Sequence, residues 1–286
     1  MRASLTERWF DGTLARRLAA PRQVGVSLFW LGQAGFLIET GGRRVVIDPY
    51  LSNSLGRKYG HTPFPHTRMM PAPVTVAELG DVDLVLCTHH HTDHMDPETL
   101  ALLAARDPHL RFVVPAASLA SARERVGVSD DRLIPIDAGD RIELLPGLQI
   151  HAVRAAHEAL ERDHAGRHRF LGYVVEAGGL RLFHSGDCVP FEGQCEEIAA
   201  AGIDLALLPV NGRSELLRRV GIAGNFTMAE AVVLCEACGI PAMIAHHYGM
   251  FAFNTVDPAS IDAASMKASF QLVRARTQVE YGLRLE

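Results

Sequence analysis

The run Thr88-His89-His90-His91-Thr92-Asp93-His94 gathers four imidazoles and a carboxylate in seven consecutive residues. It directly follows Val82 to Cys87, a nearly continuous apolar run that reads as a strand buried on both faces. Alternate residues of an extended chain point the same way, so His89 and His91 face one cation together. His90 then faces away and reads as a packing or supporting residue. A turn ahead of Pro97 swings Asp93 and His94 toward a second cation. Imidazole and carboxylate suit zinc, iron or manganese. The chemistry such a site performs is hydrolysis, with cations lowering the pKa of a water and polarising the bond it attacks. A chance polar loop is the bland alternative, but histidine-rich tracts of this kind are metal sites by preference.

The surrounding elements must hold that cluster in place. Val24 to Trp30, Gly35 to Thr40 and Arg44 to Asp48 read as strands, with Gly41-Gly42 as a hairpin turn. After the histidine run, Asp96 as N-cap, Pro97 and Glu98 predict a helix start. Phe112 to Pro115 is a strand and Ala116 to Val126 a helix. Arg132 to Ile136, Arg141 to Leu145, Gln149 to Arg154, Phe170 to Glu176, Leu180 to His184, Leu205 to Val210 and Met243 to Ala245 read as further strands. Helices are predicted over Cys195 to Ala201, over Thr227 to Cys238 with a Thr227–Glu230 capping box, and over Ala259 to Arg274. Leu51 to Val76 shows no clear element, and a loop of that length is usually functional or disordered. The pattern predicts an α/β protein of two packed sheets with helices outside. One domain spans 1–286, with 1–22 as an N-terminal helical extension.

His89-x-His91-x-Asp93-His94 resembles the signature of the metallo-β-lactamase superfamily, and the likeness runs from about Leu28 to Pro258. Within that superfamily the chain looks closest to the bacterial L-ascorbate-6-phosphate lactonase group. Asp48-Pro49-Tyr50-Leu51-Ser52, Thr88 to Asp96, His184-Ser185-Gly186-Asp187 and His246-His247 carry that closer match. The resemblance implies an αββα sandwich, two mixed β-sheets flanked by helices, with a dinuclear site where strand ends meet loops. It implies His89, His91 and His157 on one metal, Asp93, His94 and His247 on the other, and Asp187 with a hydroxide between them. His157 departs from the lactonase pattern, which has an aspartate near this position, and restores a three-histidine set. His151 and His164 are its rivals, and His246 is the rival of His247. The implied cofactor is two divalent ions per chain, zinc by preference, with manganese, iron or nickel as alternatives. Asp93 doubles as the catalytic proton carrier. Asp48 either orients a ligand histidine from behind or forms a plain turn before Pro49. His184 and His246 are expected beneath the site. Arg68, Asn211, Arg213, Tyr248 and Asn254 are the expected substrate contacts, with His66 and Gly212 beside them. Arg68 or Arg213 would clamp an anionic group, against the alternative of solvated loop arginines.

Composition narrows the field. Hydrophobic residues make up 48% of the 286 and charged residues 21%, enough to bury a large core. A net charge of -5 without a basic stripe argues against nucleic acid. No apolar run reaches membrane-span length, and Met1 to Ala20 lacks a signal-like apolar middle, so a cytoplasmic location is expected. Five scattered cysteines fit a reducing compartment. Cys235-x-x-Cys238 lies in a predicted helix without a second pair and reads as packing rather than zinc or redox chemistry. No Gly-x-Ser-x-Gly occurs, and Cys188 reads as a packed neighbour of Asp187. The expected partner is a small molecule, and homo-oligomerisation is compatible with the chain. The expected activity is hydrolysis of a lactone, ester or amide of a small metabolite, phosphorylated or not. Phosphodiester hydrolysis is the alternative, followed by di-iron redox chemistry and by non-catalytic metal binding.

Overall fold

The computed structural model describes residues 3–21 and 25–285. The strands are β1 (Ala3–Trp9), β2 (Val26–Gly32), β3 (Gly35–Thr40), β4 (Arg43–Ile47), β5 (Leu84–Leu86), β6 (Arg111–Pro115) and β7 (Leu133–Ile136), then β8 (Arg141–Leu145), β9 (Leu148–Arg154), β10 (Leu171–Ala177), β11 (Leu180–His184), β12 (Leu205–Pro209), β13 (Ala242–His246), β14 (Gln271–Arg274) and β15 (Val279–Leu285). One sheet runs β1-β15-β2-β3-β4-β5-β6-β7 and the other β14-β13-β12-β11-β10-β9-β8. Both sheets are mixed: β4 to β7 pair in parallel, as do β11 to β14, beside antiparallel hairpins. The helices are α1 (Leu14–Ala19), α2 (Ser54–Tyr59), α3 (Pro97–Arg106), α4 (Leu119–Val126), α5 (Gln194–Ala201), α6 (Glu215–Arg219), α7 (Met228–Cys238) and α8 (Pro258–Ser265). This is the αββα sandwich that the sequence predicts.

Period-two alternation explains the layering. On β3, Phe36 and Ile38 point into the core between the sheets, while Leu37 joins Phe29, Val46, Leu100 and Leu103 in a second core on the outer face. Both faces of the central strands are therefore apolar, which is why they read as continuous apolar runs. The helix signals hold locally. Asp96 caps α3 by accepting from the Thr99 N–H, and Thr227 and Glu230 form the capping box of α7.

Three expectations need correction. Residues 3–9 of the expected helical extension are strand β1, paired antiparallel with β15 from Ala3↔Leu285 to Trp9↔Val279, and only Leu14–Ala19 is helical. Met1, Arg2, Arg22 and Val24 lie outside the described residues. The expected last helix stops at Ser265, and Gln271–Arg274 instead adds edge strand β14 beside β13. Pairing with a distant strand overrides local propensity in both places. Within 51–76, the six-residue helix α2 occupies part of the stretch that showed no element.

Glu280, 3% exposed, ties the N-terminal region to β15. It accepts from Arg17 at 2.7 and 2.8 Å, from Arg8 at 2.5 and 3.2 Å and from Ser27 Oγ at 2.9 Å. Burial works to raise its pKa, but the arginine and serine bonds outweigh it and hold the carboxyl below its usual value. A depressed folded pKa contributes stability that is present above the unfolded value, near 4.3, and is lost as pH falls through the folded one. Glu280→Gln is expected to cost about 2 kcal/mol at neutral pH. The gap from wild type should shrink as urea midpoints are followed below pH ~4. A gap that stays constant with pH would show that the carboxylate charge contributes nothing.

Candidate metal centre

The expected donors converge at one edge of the sandwich, where strands end. His89 to His94 follow β5 and lead into α3, His157 follows β9, Asp187 follows β11 and His247 follows β13. The chain turns at His91, whose carbonyl accepts from the N–H groups of His94 and Met95 at 3.1 and 2.8 Å. Three overlapping sets of side chains each bring donor atoms within 4.8 Å of one another: His89, His91 and His157; His89, His94 and Asp187; Asp93, His94 and His247. Asp187 faces both sides. Its Oδ1 lies 3.2 Å from His94 Nε2 and 3.0 Å from His247 Nε2, while Oδ2 lies 3.7 Å from His157 Nε2. Of the two adjacent histidines it is His247 that joins the cluster.

The donor atoms fit a cation. His89 Nε2, His94 Nε2, His247 Nε2 and Asp187 Oδ1 are buried without a hydrogen-bond partner. Polar atoms left so inside a protein are costly, and a metal would satisfy them. Burial, then the neighbouring imidazoles His94 and His91, hold His89 well below its ordinary pKa, and burial takes His157 down to about 4. Both rings are therefore in the neutral form that ligates. Burial also works to lower His94, but Asp187, Asp48 and Asp93 together raise it well above its usual value. The desolvation of Asp187 is likewise overcome, by His247 and His94, so its carboxyl stays well below the usual range.

Supporting contacts set which nitrogen faces inward. Asp48, fully buried, accepts from the Thr88 N–H at 2.8 Å, from Thr88 Oγ1 at 2.6 Å and from His94 Nδ1 at 2.7 Å. His89 Nδ1 lies 3.1 Å from Thr88 Oγ1. With both Nδ1 atoms spent on these partners, both Nε2 atoms are turned to the cluster. His184 lies beneath the site, where its Nε2 donates to Ala34 O at 2.8 Å and its Nδ1 accepts from the Gly186 N–H at 3.0 Å. Gly186 has φ +61°, and a Cβ there would sit 2.7 Å from Leu171 O and 2.9 Å from Thr88 Cβ, so only glycine makes this turn. His246 stacks over His184 with ring centroids 5.1 Å apart and stays outside the donor sets. Gln33, Asp48 and His247 hold left-handed φ values of 51°, 46° and 66°. Such conformations cost on the order of 1–3 kcal/mol each and cluster at functional sites.

A cavity of about 600 Å³ opens over the donors. Its wall is aromatic: His66 packs between Tyr59, Phe251 and Phe253 with ring centroids 4.7 to 4.9 Å apart, and Phe64 lies edge-on to Phe253. His90 is outside the donor sets, as expected, but it lines this cavity. Of the expected substrate contacts, Asn254 and His66 reach it. Arg68 does not. Its guanidinium donates to the carbonyls of Tyr50, Ser52 and Met70 at 2.8 to 3.1 Å and stacks on the Tyr50 ring, bracing the loop after β4. Arg213 is likewise spent, making a two-pronged pair with Glu230 at 2.5 and 2.6 Å. Tyr248 is buried against Trp30 and donates to Ala275 O. Asn211 is buried and reaches the cavity through Asn254. Cys188 is a buried thiol that accepts from the Ala156 N–H and Gln194 Nε2, and burial pushes its pKa up to about 12. The rivals His151 and His164 join no donor set.

Sequence reasoning missed Gln33, Phe170 and the cavity cations. Gln33 Nε2 donates to Asp93 Oδ2 at 2.8 Å, and the only signal is a polar residue between Gly32 and Gly35 in a strand-end turn. Phe170 packs on His89, His91 and His157 at centroid distances of 5.2 to 5.8 Å. Lys58 and Arg125 line the cavity, though Arg125 is committed to the carbonyls of His90 and Met95.

No helix among the described residues is long and apolar enough to cross a membrane. The sequence profile of the beta-lactamase superfamily domain matches residues 43–248, which include all seven donors. A UPF0173 metal-dependent hydrolase of Polynucleobacter asymbioticus is 30% identical over 231 residues, covering 74% of this chain and 69% of its own. Another, of Caldivirga maquilingensis, is 27% identical over 233 residues, covering 81% and 86%. Among solved structures, the metallo hydrolase Igni18 of the archaeon Ignicoccus hospitalis superposes with TM-score 0.68 at 19% identity, covering 91% of this chain and 99% of that one. The isothiocyanate hydrolase from Delia radicum gut bacteria superposes with TM-score 0.70 at 15% identity, covering 91% and 98%. These two superpositions speak for the fold alone. The chain belongs to the UPF0173 metal-dependent hydrolase family of the metallo-β-lactamase superfamily.

Proposed function

We propose that this hydrolase cleaves the acyl bond of a lactone, ester or amide in a small molecule with an apolar body. The observation that carries the reading is the convergence of partnerless imidazole nitrogens and Asp187 Oδ1 on the floor of an aromatic-walled cavity. His89, His91 and His157 would hold one ion and Asp93, His94 and His247 another, with Asp187 between them. Ions held there would lower the pKa of a water shared between them and polarise the bond it attacks, and zinc suits the donor set best.

The chain's own groups do the rest. Burial disfavours the Asp93 charge, but His94, His247 and the Gln33 amide keep its carboxyl below the usual range. An ionised Asp93 on the cavity floor accepts the proton of the attacking water and passes it to the leaving group. A directed string of hydrogen bonds orients Asn254. The Cys188 N–H donates to Asn225 Oδ1 at 2.9 Å, Asn225 Nδ2 to Asn211 Oδ1 at 3.0 Å, and Asn211 Nδ2 to Asn254 Oδ1 at 2.8 Å. Each amide oxygen is taken, so Asn254 turns its NH₂ outward as a donor for a substrate oxygen. Lys58, exposed beside Tyr59, is the cation an anionic substituent would meet, whereas Arg68 and Arg213 are spent elsewhere. That lining favours an acyl compound over a phosphodiester.

The test is a panel of lactones, aryl esters, acyl amides and phosphodiesters offered to the metal-loaded protein. Acyl substrates should turn over, and a single turnover in oxygen-labelled water should place one labelled oxygen in the product. Asn254→Asp keeps the acceptor for Asn211 but loses the outward donor, and should raise KM by about 10-fold with metal content unchanged. Cleavage of phosphodiesters alone, or a trapped covalent enzyme intermediate, would sink the proposal.

A further inference from the structure

Cys195 sits in the first turn of α5 and Cys238 is the last residue of α7, two helices that pack side by side. Their Sγ atoms are 3.2 Å apart although the residues are 43 positions apart in sequence. Both are partly exposed, whereas Cys87, Cys188 and Cys235 are buried. The pair is therefore not the Cys235-x-x-Cys238 of the sequence motif. A disulfide has an S–S length of ~2.05 Å, so closing this one needs a movement of roughly 1 Å.

We infer that Cys195 and Cys238 are a redox modification site, closed into an interhelix disulfide by a small-molecule disulfide such as oxidised glutathione. The Cys195 thiolate attacks one sulfur of oxidised glutathione and displaces a glutathione thiolate, leaving a mixed disulfide on Cys195. Cys238 then attacks Cys195 Sγ, loses its proton to solvent and displaces the second glutathione. Two thiols of the protein are oxidised, one S–S bond forms, and the oxidant leaves as two reduced thiols. Burial, then the contact with Cys195, pushes the Cys238 thiol up to about 12.

The bridge would close the segment that carries Asn211, Asn225 and the cavity-wall residues Val220 to Ala223. It clamps that wall without touching a metal donor, and it stands independently of the substrate proposed above. In a reducing compartment the pair rests as thiols, so oxidation acts as a reversible stabiliser.

The experiment incubates the full-length protein with excess oxidised glutathione, then applies intact mass measurement, non-reducing peptide mapping and thermal unfolding. The mass should fall by two hydrogens, the map should show one Cys195–Cys238 peptide pair, and the unfolding midpoint should rise by roughly 5–10 °C and return with dithiothreitol. Cys195→Ser and Cys238→Ser should each abolish all three changes. A glutathione adduct that persists on Cys195, a Cys235–Cys238 bridge, or an unmodified wild-type chain would each overturn the inference. The peptide map of the wild type decides the matter even where a variant folds poorly.

Discussion

Asp187→Ala is expected to empty the centre and lower hydrolysis at least about 1,000-fold. The carboxylate reaches toward both halves of the donor set, with Oδ1 beside His94 and His247 and Oδ2 beside His157. Removing it deletes the carboxylate that faces both halves and leaves His94, His247 and His157 without it. The measurement is metal content after dialysis, beside turnover of an acyl substrate from the panel. Wild type should approach two metals per chain, and the variant should hold less than one. His90→Ala is the control: it lies in the same run but outside the donor sets, so metal content should be unchanged. A variant without Asp187 that keeps full metal and turnover would remove this carboxylate from the centre.

Asp48→Ala is expected to weaken metal affinity about 10–100-fold, the usual effect of losing a partner behind a ligand histidine. It is also expected to destabilise the fold by about 3 kcal/mol, because the Thr88 N–H, the Thr88 hydroxyl and His94 Nδ1 lose their acceptor in a fully buried place. Chelator competition reads the first effect and urea unfolding of the metal-free protein the second. Lower stability with unchanged affinity would make Asp48 a strut for the Thr88 turn and nothing more.

Much of this site is legible in the chain because its chemistry is local. His89 to His94 follow a strand whose apolar character betrays it, and alternation along an extended backbone separates His89 and His91 from His90. The caps at Asp96 and Thr227 are short-range hydrogen bonds written in consecutive residues. The same locality explains the errors. Arg68 and Arg213 have the right residue type beside the site, but a guanidinium is claimed by whichever acceptor folding brings near, here three loop carbonyls and Glu230. The β1–β15 pairing joins the two ends of the described chain, and no window of sequence contains both partners.

The sequence by itself set out the histidine run, the buried strand it follows and two packed sheets with helices outside, since periodicity and residue chemistry act over a few residues. The αββα sandwich and the donors His157, Asp187 and His247 came as what the family resemblance implies. Only the tertiary structure decided that Asp187 faces both halves of the donor set and that His247 rather than His246 joins it. It alone set the asparagine string that aims Asn254 and the partnership of Cys238 with Cys195 rather than Cys235. Those outcomes depend on hydrogen-bond direction and on approaches of a few ångströms between segments far apart in the chain, which are settled when the two sheets pack against each other.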